Sequence, residues 1–218
     1  MTAVRREEVG EPSESSSELG GFGRALAEPG VVERFDLRSR FGFMAFHGGA
    51  LERQTDRIAS AAADAAGASL YVVAHPEPDP PHFPSTDVRP HHSPALQAFL
   101  AHVQVVVTVH GFGRDGMFTT LLLGGSNRTL AATLRTELAG ALPDYEIIDD
   151  LDAIPRQLRG LHPDNPVNLP PLGGVQVELP PRVRGLGPRW ADWTGDGFVP
   201  PAAVLVATLG RVARTWRP

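Results

Sequence analysis

The sequence predicts an α/β domain, built as a single unit on a mostly parallel mixed sheet flanked by helices. Two observations lead there. Short apolar runs rich in Val, Ile, Leu and Phe alternate with longer stretches of helical period, the succession expected of strands and crossover helices. With 218 residues, 42% of them hydrophobic, the chain can bury one core of ordinary domain size, and it carries no internal repeat that would suggest a solenoid.

The first residues, "MTAVRREEVGEPSESSSELGG", are too polar to offset the entropy of ordering them. Residues 1 to 20 are therefore expected to be a flexible tail and residues 21 to 218 the folded domain. Phe41 to Phe46 reads as a buried strand, Leu51 to Ala66 as an alanine-rich helix stopped by Gly67, and Ser69 to Ala74 as a second strand. A long loop from His75 to His92, rich in proline and histidine, is either functional or poorly ordered. Ser93 caps a helix running to His102, "QVVVTVH" forms a central strand ending at His110, and "GMFTTLLLGG" forms another ending at Gly125. Ser126 or Asn127 caps the helix "RTLAATLRTELAGAL". The chain then continues through "YEIIDDL", a short helix near Ala153 to Leu161, the strand "VQVEL" and a closing helix "AAVLVATLGRVARTW".

Composition narrows the chemistry. Cysteine is absent, so a metal would need His, Asp or Glu ligands, and no thiolate nucleophile is available. Every basic residue is arginine, which excludes Schiff-base and P-loop lysine chemistry. A formal charge of -5 with a pI near 5.9 and no basic patch argue against nucleic-acid binding. No stretch approaches the ~20 apolar residues of a membrane helix, and no signal-peptide core is visible. A cytoplasmic monomer is the expectation.

Within "FHGGALE", His47 and Glu52 are five residues apart. On one helix they would point about 140° apart, so the chain must break between them. Gly48 and Gly49 supply the break, with the strand ending at His47 and Glu52 reaching back from the first helical turn. His110 likewise leaves a buried strand just before "GFG", so two histidines and a glutamate can meet at the carboxyl edge of the sheet. That set suits catalytic zinc, which uses three protein ligands and leaves a position for water. Alternatively, each histidine closes its strand on a nearby carbonyl. In "GGVQVEL", Gln176 and Glu178 face away from Val175, Val177 and Leu179. Glu178 is thus a candidate general base beside a metal, or else lies on the solvated face of an edge strand. Asn127, Arg128, Gln176, Arg182 and Arg184 are candidate substrate contacts, because a guanidinium fork matches a carboxylate; single arginines also serve as solvated or structural groups.

The motifs "HGGALERQTDRIA", "LYVV", "HFPST", "VVTVHG", "LLLGGSNRTL", "NPVN" and "GGVQVELPPRVR", taken in order, resemble the poly-γ-glutamate hydrolase family over about residues 41 to 184. The resemblance implies a zinc-carboxypeptidase-like fold, Zn2+ held by His47, Glu52 and His110, and Glu178 as general base. It also implies an acidic polymer of γ-linked glutamate as substrate; members occur in phages and bacteria. The proline-rich segment departs from the family's compact pattern, and no role is assigned there to His82, Ser85 or Thr86. Asn127-Arg128 resembles the Asn-Arg pair by which carboxypeptidases grip a terminal carboxylate, although here it follows His110 instead of preceding it. Two other functions fit the same residues: an amidohydrolase for a small acylated or glutamyl metabolite, and a non-catalytic metal- or ligand-binding module.

Overall fold

The computed structural model describes residues 20–218 except 77–79, 81 and 196. The expected tail thus lies outside the described residues apart from Gly20. In chain order the elements are α1 (Gly21–Leu26), β1 (Val32–Asp36), β2 (Phe41–Gly49), α2 (Thr55–Ala66), β3 (Ser69–His75), α3 (Pro94–His102), β4 (Val105–Gly111), β5 (Thr120–Leu123), α4 (Arg128–Ala141), β6 (Glu146–Ile148), β7 (Gly174–Leu179) and α5 (Pro200–Thr215). The strands form one seven-stranded sheet in the order β1-β3-β2-β4-β7-β5-β6. Its centre, β3, β2, β4 and β7, is parallel. At one edge β1 runs antiparallel to β3; at the other, β5 and β6 run together, antiparallel to β7. The predicted class, α/β on a mostly parallel mixed sheet, describes this arrangement.

Both faces of the sheet are covered, which explains the continuous apolar runs. Phe41, Phe43 and Ala45 of β2 pack with Ile58 of α2, Leu134 of α4 and Leu209 of α5. Met44 and Phe46 pack on the other face with Phe22 of α1 and Phe99 of α3. That second layer also takes Phe83 and Val88 from the proline-rich segment. Anchored by these two side chains, the segment folds through two short 3-10 turns, Ser85–Asp87 and Pro90–His92, and forms one wall over the sheet edge.

Several local readings need correcting. β2 does not stop at His47: Gly48 and Gly49 continue it, paired with Ala74 and His75 of β3 after a register shift between Ala45 and Gly48. α2 starts at Thr55, not Leu51, because Ala50 to Gln54 form a turn closed by Glu52 N–H donating to the His47 carbonyl at 2.7 Å. Gln54 takes a left-handed φ of 77° at its end. The short helix expected over 153–161 is only the 3-10 turn Arg156–Leu158; Pro155 lacks the N–H and disfavours helix in the residue before it. The strand in "GMFTTLLLGG" is confined to Thr120–Leu123. Sequence reading missed α1 and β1, and in β1 every residue is exposed, so no apolar run marks it.

Gly49 illustrates how tightly β2, β3 and the following turn meet. Its φ is +66°, and a Cβ there would lie 2.2 Å from the His75 carbonyl oxygen, in backbone that cannot swing aside. Gly49→Ala should therefore destabilise the protein by about 2 kcal/mol or more, read in urea unfolding as a lowered midpoint at unchanged slope.

Candidate active site

Three neighbouring parallel strands deliver the polar groups. His47 comes from the end of β2, and His110 and Glu178 from β4 and β7, where they are directly opposite each other in the register. This is the carboxyl edge, where open α/β sheets place their sites. β7 lies between β4 and β5 and is buried along its length, so the alternative of an edge strand with a solvated face does not hold. Glu178 is only 3% exposed.

The register shift in β2 aims His47. Strict alternation would send His47 and Phe46 to opposite faces, yet both rings pack against His110, at 5.1 and 4.9 Å between centroids. Glu52, held in the turn rather than in a helix, reaches back between the histidines. Its Oε1 is 3.0 Å from His47 Nδ1, its Oε2 is 3.2 Å from His110 Nδ1, and Gly111 N–H donates to Oε2 at 2.9 Å. Burial works to raise the Glu52 carboxyl, but the facing imidazoles, attraction to His110 foremost, outweigh it and hold the group well below the usual carboxylate range. Burial lowers the proton affinity of His47 against the pull of Glu52; in His110, Glu52 overcomes burial and raises it.

The partner of His47 Nε2 is the Phe83 carbonyl, 3.0 Å away. A carbonyl only accepts, so Nε2 carries the proton and Nδ1 of the neutral ring presents a lone pair to a carboxylate oxygen. Two acceptors at that distance repel unless a proton or a cation lies between them, and burial disfavours the second proton. The spacing matches a shared ion, because donors ~2.0–2.1 Å from a tetrahedral zinc are about 3.3 Å apart. His110 Nε2 is buried with no hydrogen-bond partner among the described residues. His82, on the proline-rich wall, brings a third imidazole: the donor atoms of His47, Glu52 and His82 lie within 4.8 Å of one another and could hold a metal ion. His82 Nε2 is 3.9 Å from Glu52 Oε1, and its side chain is 62% exposed.

Glu178 faces the same space. Burial, reinforced by Glu52, raises its carboxyl to about 7 despite the opposing pull of His110, Gln176 and Arg184. A relay fixes its side chain: Asn165 Nδ2 donates to Gln176 Oε1 at 2.8 Å, and Gln176 Nε2 donates to Glu178 Oε1 at 2.8 Å. These groups line a cleft of about 460 Å³, walled on one side by His82, Pro84, Ser85 and Thr86 and on the other by Arg156 to Leu158 and Gly160 to His162.

Of the five expected substrate contacts, only Gln176 lines this cleft. Asn127 is the N-cap of α4, accepting from Leu130 N–H at 2.9 Å while its amide donates to the Leu172 carbonyl. The Arg128 guanidinium is occupied by the carbonyls of Leu123, Gly125 and Asp149. Arg184 is buried behind Gly111, donating to the carbonyls of Arg53 and Phe112. Arg182 lines a separate cavity. The exposed arginine that does line the cleft is Arg156, which opens the 3-10 turn after Pro155 and carries no motif. Asn165 and His82 were also missed as site residues, although "NPVN" and "HFPST" contain or adjoin them.

A family model for poly-gamma-glutamate hydrolase matches residues 17–186. Among solved structures, a bacteriophage poly-gamma-glutamate hydrolase is similar with a TM-score of 0.68 at 19% identity, covering 83% of this chain and 86% of that one. The zinc-free apo form of YNDL is similar with a TM-score of 0.66 at 18% identity, covering 85% and 90%. At these identities the two structures speak for the fold. No curated protein matches the chain.

The relay and the cap make separable predictions. Asn165→Ala leaves the buried Gln176 oxygen without its donor and should cost about 1–3 kcal/mol. Asn127→Ala should cost about 1 kcal/mol, as the loss of a helix cap does. Both are read by denaturant unfolding. If Asn127 serves only as a cap, substrate affinity is unchanged in the folded variant.

Proposed function

The chain belongs to the poly-gamma-glutamate hydrolase family, and from that premise we propose that it is a zinc-dependent hydrolase of γ-glutamyl amide bonds. The observation that carries the metal is the His47 lone pair turned onto the Glu52 carboxylate by the Phe83 carbonyl. In this reading His47, Glu52 and His110 hold the zinc, with exposed His82 standing at the solvent side of the cleft. When bound there, zinc supplies a Lewis acid that acidifies water and polarises an amide carbonyl.

The chain's own groups perform the remaining work. Gln176 occupies Glu178 Oε1, which leaves Oε2 to accept a proton from the attacking water. A carboxyl raised to about 7 is matched to that task, because near neutral pH it can both take the proton and return it to the departing amide nitrogen. Gly111 N–H and His110 keep Glu52 ionised and in place. Arg156 at the cleft mouth offers a fork to a carboxylate of the substrate.

Metal content by mass spectrometry, on zinc-replete protein, tests the centre. One zinc per chain is expected in wild type, with loss of retained zinc in His47→Ala and His110→Ala but not in His82→Ala. Retention in His110→Ala together with loss in His82→Ala would move the third ligand to the proline-rich wall, and no zinc in wild type would remove the mechanism.

Glu178→Gln should keep its zinc and lose about 10²- to 10⁴-fold in turnover of poly-γ-glutamate, followed as polymer chain length. A zinc-loaded wild type that leaves the polymer intact but cleaves small glutamyl amides would reassign the substrate.

A further inference from the structure

A second cavity, of about 390 Å³, opens beside the sheet and shares no residue with the cleft. It sits at the same sheet edge. Because β5 and β6 run opposite to β7, Thr119 and Tyr145 at their starts come beside Arg182, just past the end of β7. The end of α4 and the proline-led start of α5 close it with Leu142, Pro200, Pro201 and Val204.

Two arginines, half-buried Arg182 and exposed Arg189, line this space. Neither makes a side-chain hydrogen bond or ion pair among the described residues. Asp144, the carboxylate that also lines the cavity, is exposed and pairs with neither. Arg189 is held over the Trp190 ring, 5.6 Å from its centroid, and the Trp190 indole N–H donates to the Arg182 carbonyl at 2.7 Å. Both arginines also act on Tyr145: burial raises its phenol, and Arg182 and Arg189 pull the other way. Two like charges lining one cavity repel each other, and an anion between them relieves that repulsion and takes up the free forks.

The geometry points to an exosite for carboxylates of an acidic chain, in which Arg182 and Arg189 clamp a carboxylate while prolines, Leu142 and Trp190 cover its methylenes. The inference rests on the γ-glutamyl reading given above, since a γ-linked glutamate unit presents an α-carboxylate beside two methylenes. The occupant is therefore a stretch of the same polymer outside the scissile cleft. Arg182 then has a substrate role at a second site instead of at the catalytic one.

Binding separates this claim from turnover. Full-length protein in chelator is titrated with fluorescently labelled poly-γ-glutamate at low salt, followed by anisotropy and by tryptophan emission. Arg182→Gln/Arg189→Gln should raise the Kd at least about tenfold and abolish an emission change that Trp190→Phe also abolishes. Thermal melting confirms that the variants are folded, and the single Arg189→Gln variant serves if the double one is not. An unchanged Kd overturns the exosite. Saturation of the same emission change by free glutamate at equal carboxylate concentration overturns the polymer assignment in favour of a small-acid site. Cleavage by zinc-loaded wild type is assayed separately: its absence would defeat the catalytic reading while leaving the binding result to stand or fall by itself.

Discussion

The buried Glu52 carboxylate is the group around which the rest of the site is organised. Its charge, at 9% exposure, is sustained by the His110 imidazole and the Gly111 N–H at Oε2, while at Oε1 the lone pair of His47 calls for a shared cation; without such partners, burial would favour the neutral acid. Each partner makes demands further out. His47 needs the register shift in β2 and the Phe83 carbonyl, Phe83 needs the proline-rich segment to pack as core, and a side chain at Gly111 would displace the Arg184 guanidinium, since a Cβ would lie 2.5 Å from its Nη1. A single ionised group thereby links β2, β4, the turn before α2 and the wall at residues 82–86.

The proline-rich segment shows how composition and role diverge. Its prolines suggest a connector with little structure of its own, yet Phe83 and Val88 are buried with Phe22 and Phe99 in a common cluster. Prolines reduce what the unfolded chain loses on ordering, so two apolar anchors suffice to fix the wall. The wall in turn sets the tautomer of His47 through one carbonyl, an effect that depends on backbone and leaves no mark on the identity of the residue.

Much of the centre was legible in sequence because it is carried by strands. Apolar runs located β2, β4 and β7, and period-two alternation placed Gln176 and Glu178 together away from Val175 and Val177. What failed was long-range or conformational. The start of α2 depends on a left-handed Gln54 that no propensity signals. Asn127 and Arg128 look like a recognition pair, but one caps α4 and the other serves three carbonyls, a distinction decided by tertiary contacts. Arg156 lines the cleft from a single 3-10 turn and has no periodicity to announce it. β1 was invisible because an exposed edge strand needs no apolar pattern.

The register shift between Ala45 and Gly48 bears on how this protein can diverge. Strand positions are counted in odd and even, so removing or adding one residue upstream of His47 in β2 would exchange its surroundings with those of Phe46. Sheet pairing could re-form after such an indel while the His47 imidazole turned into the core. The catalytic lineage is thus held to a fixed length from Phe41 to Gly49.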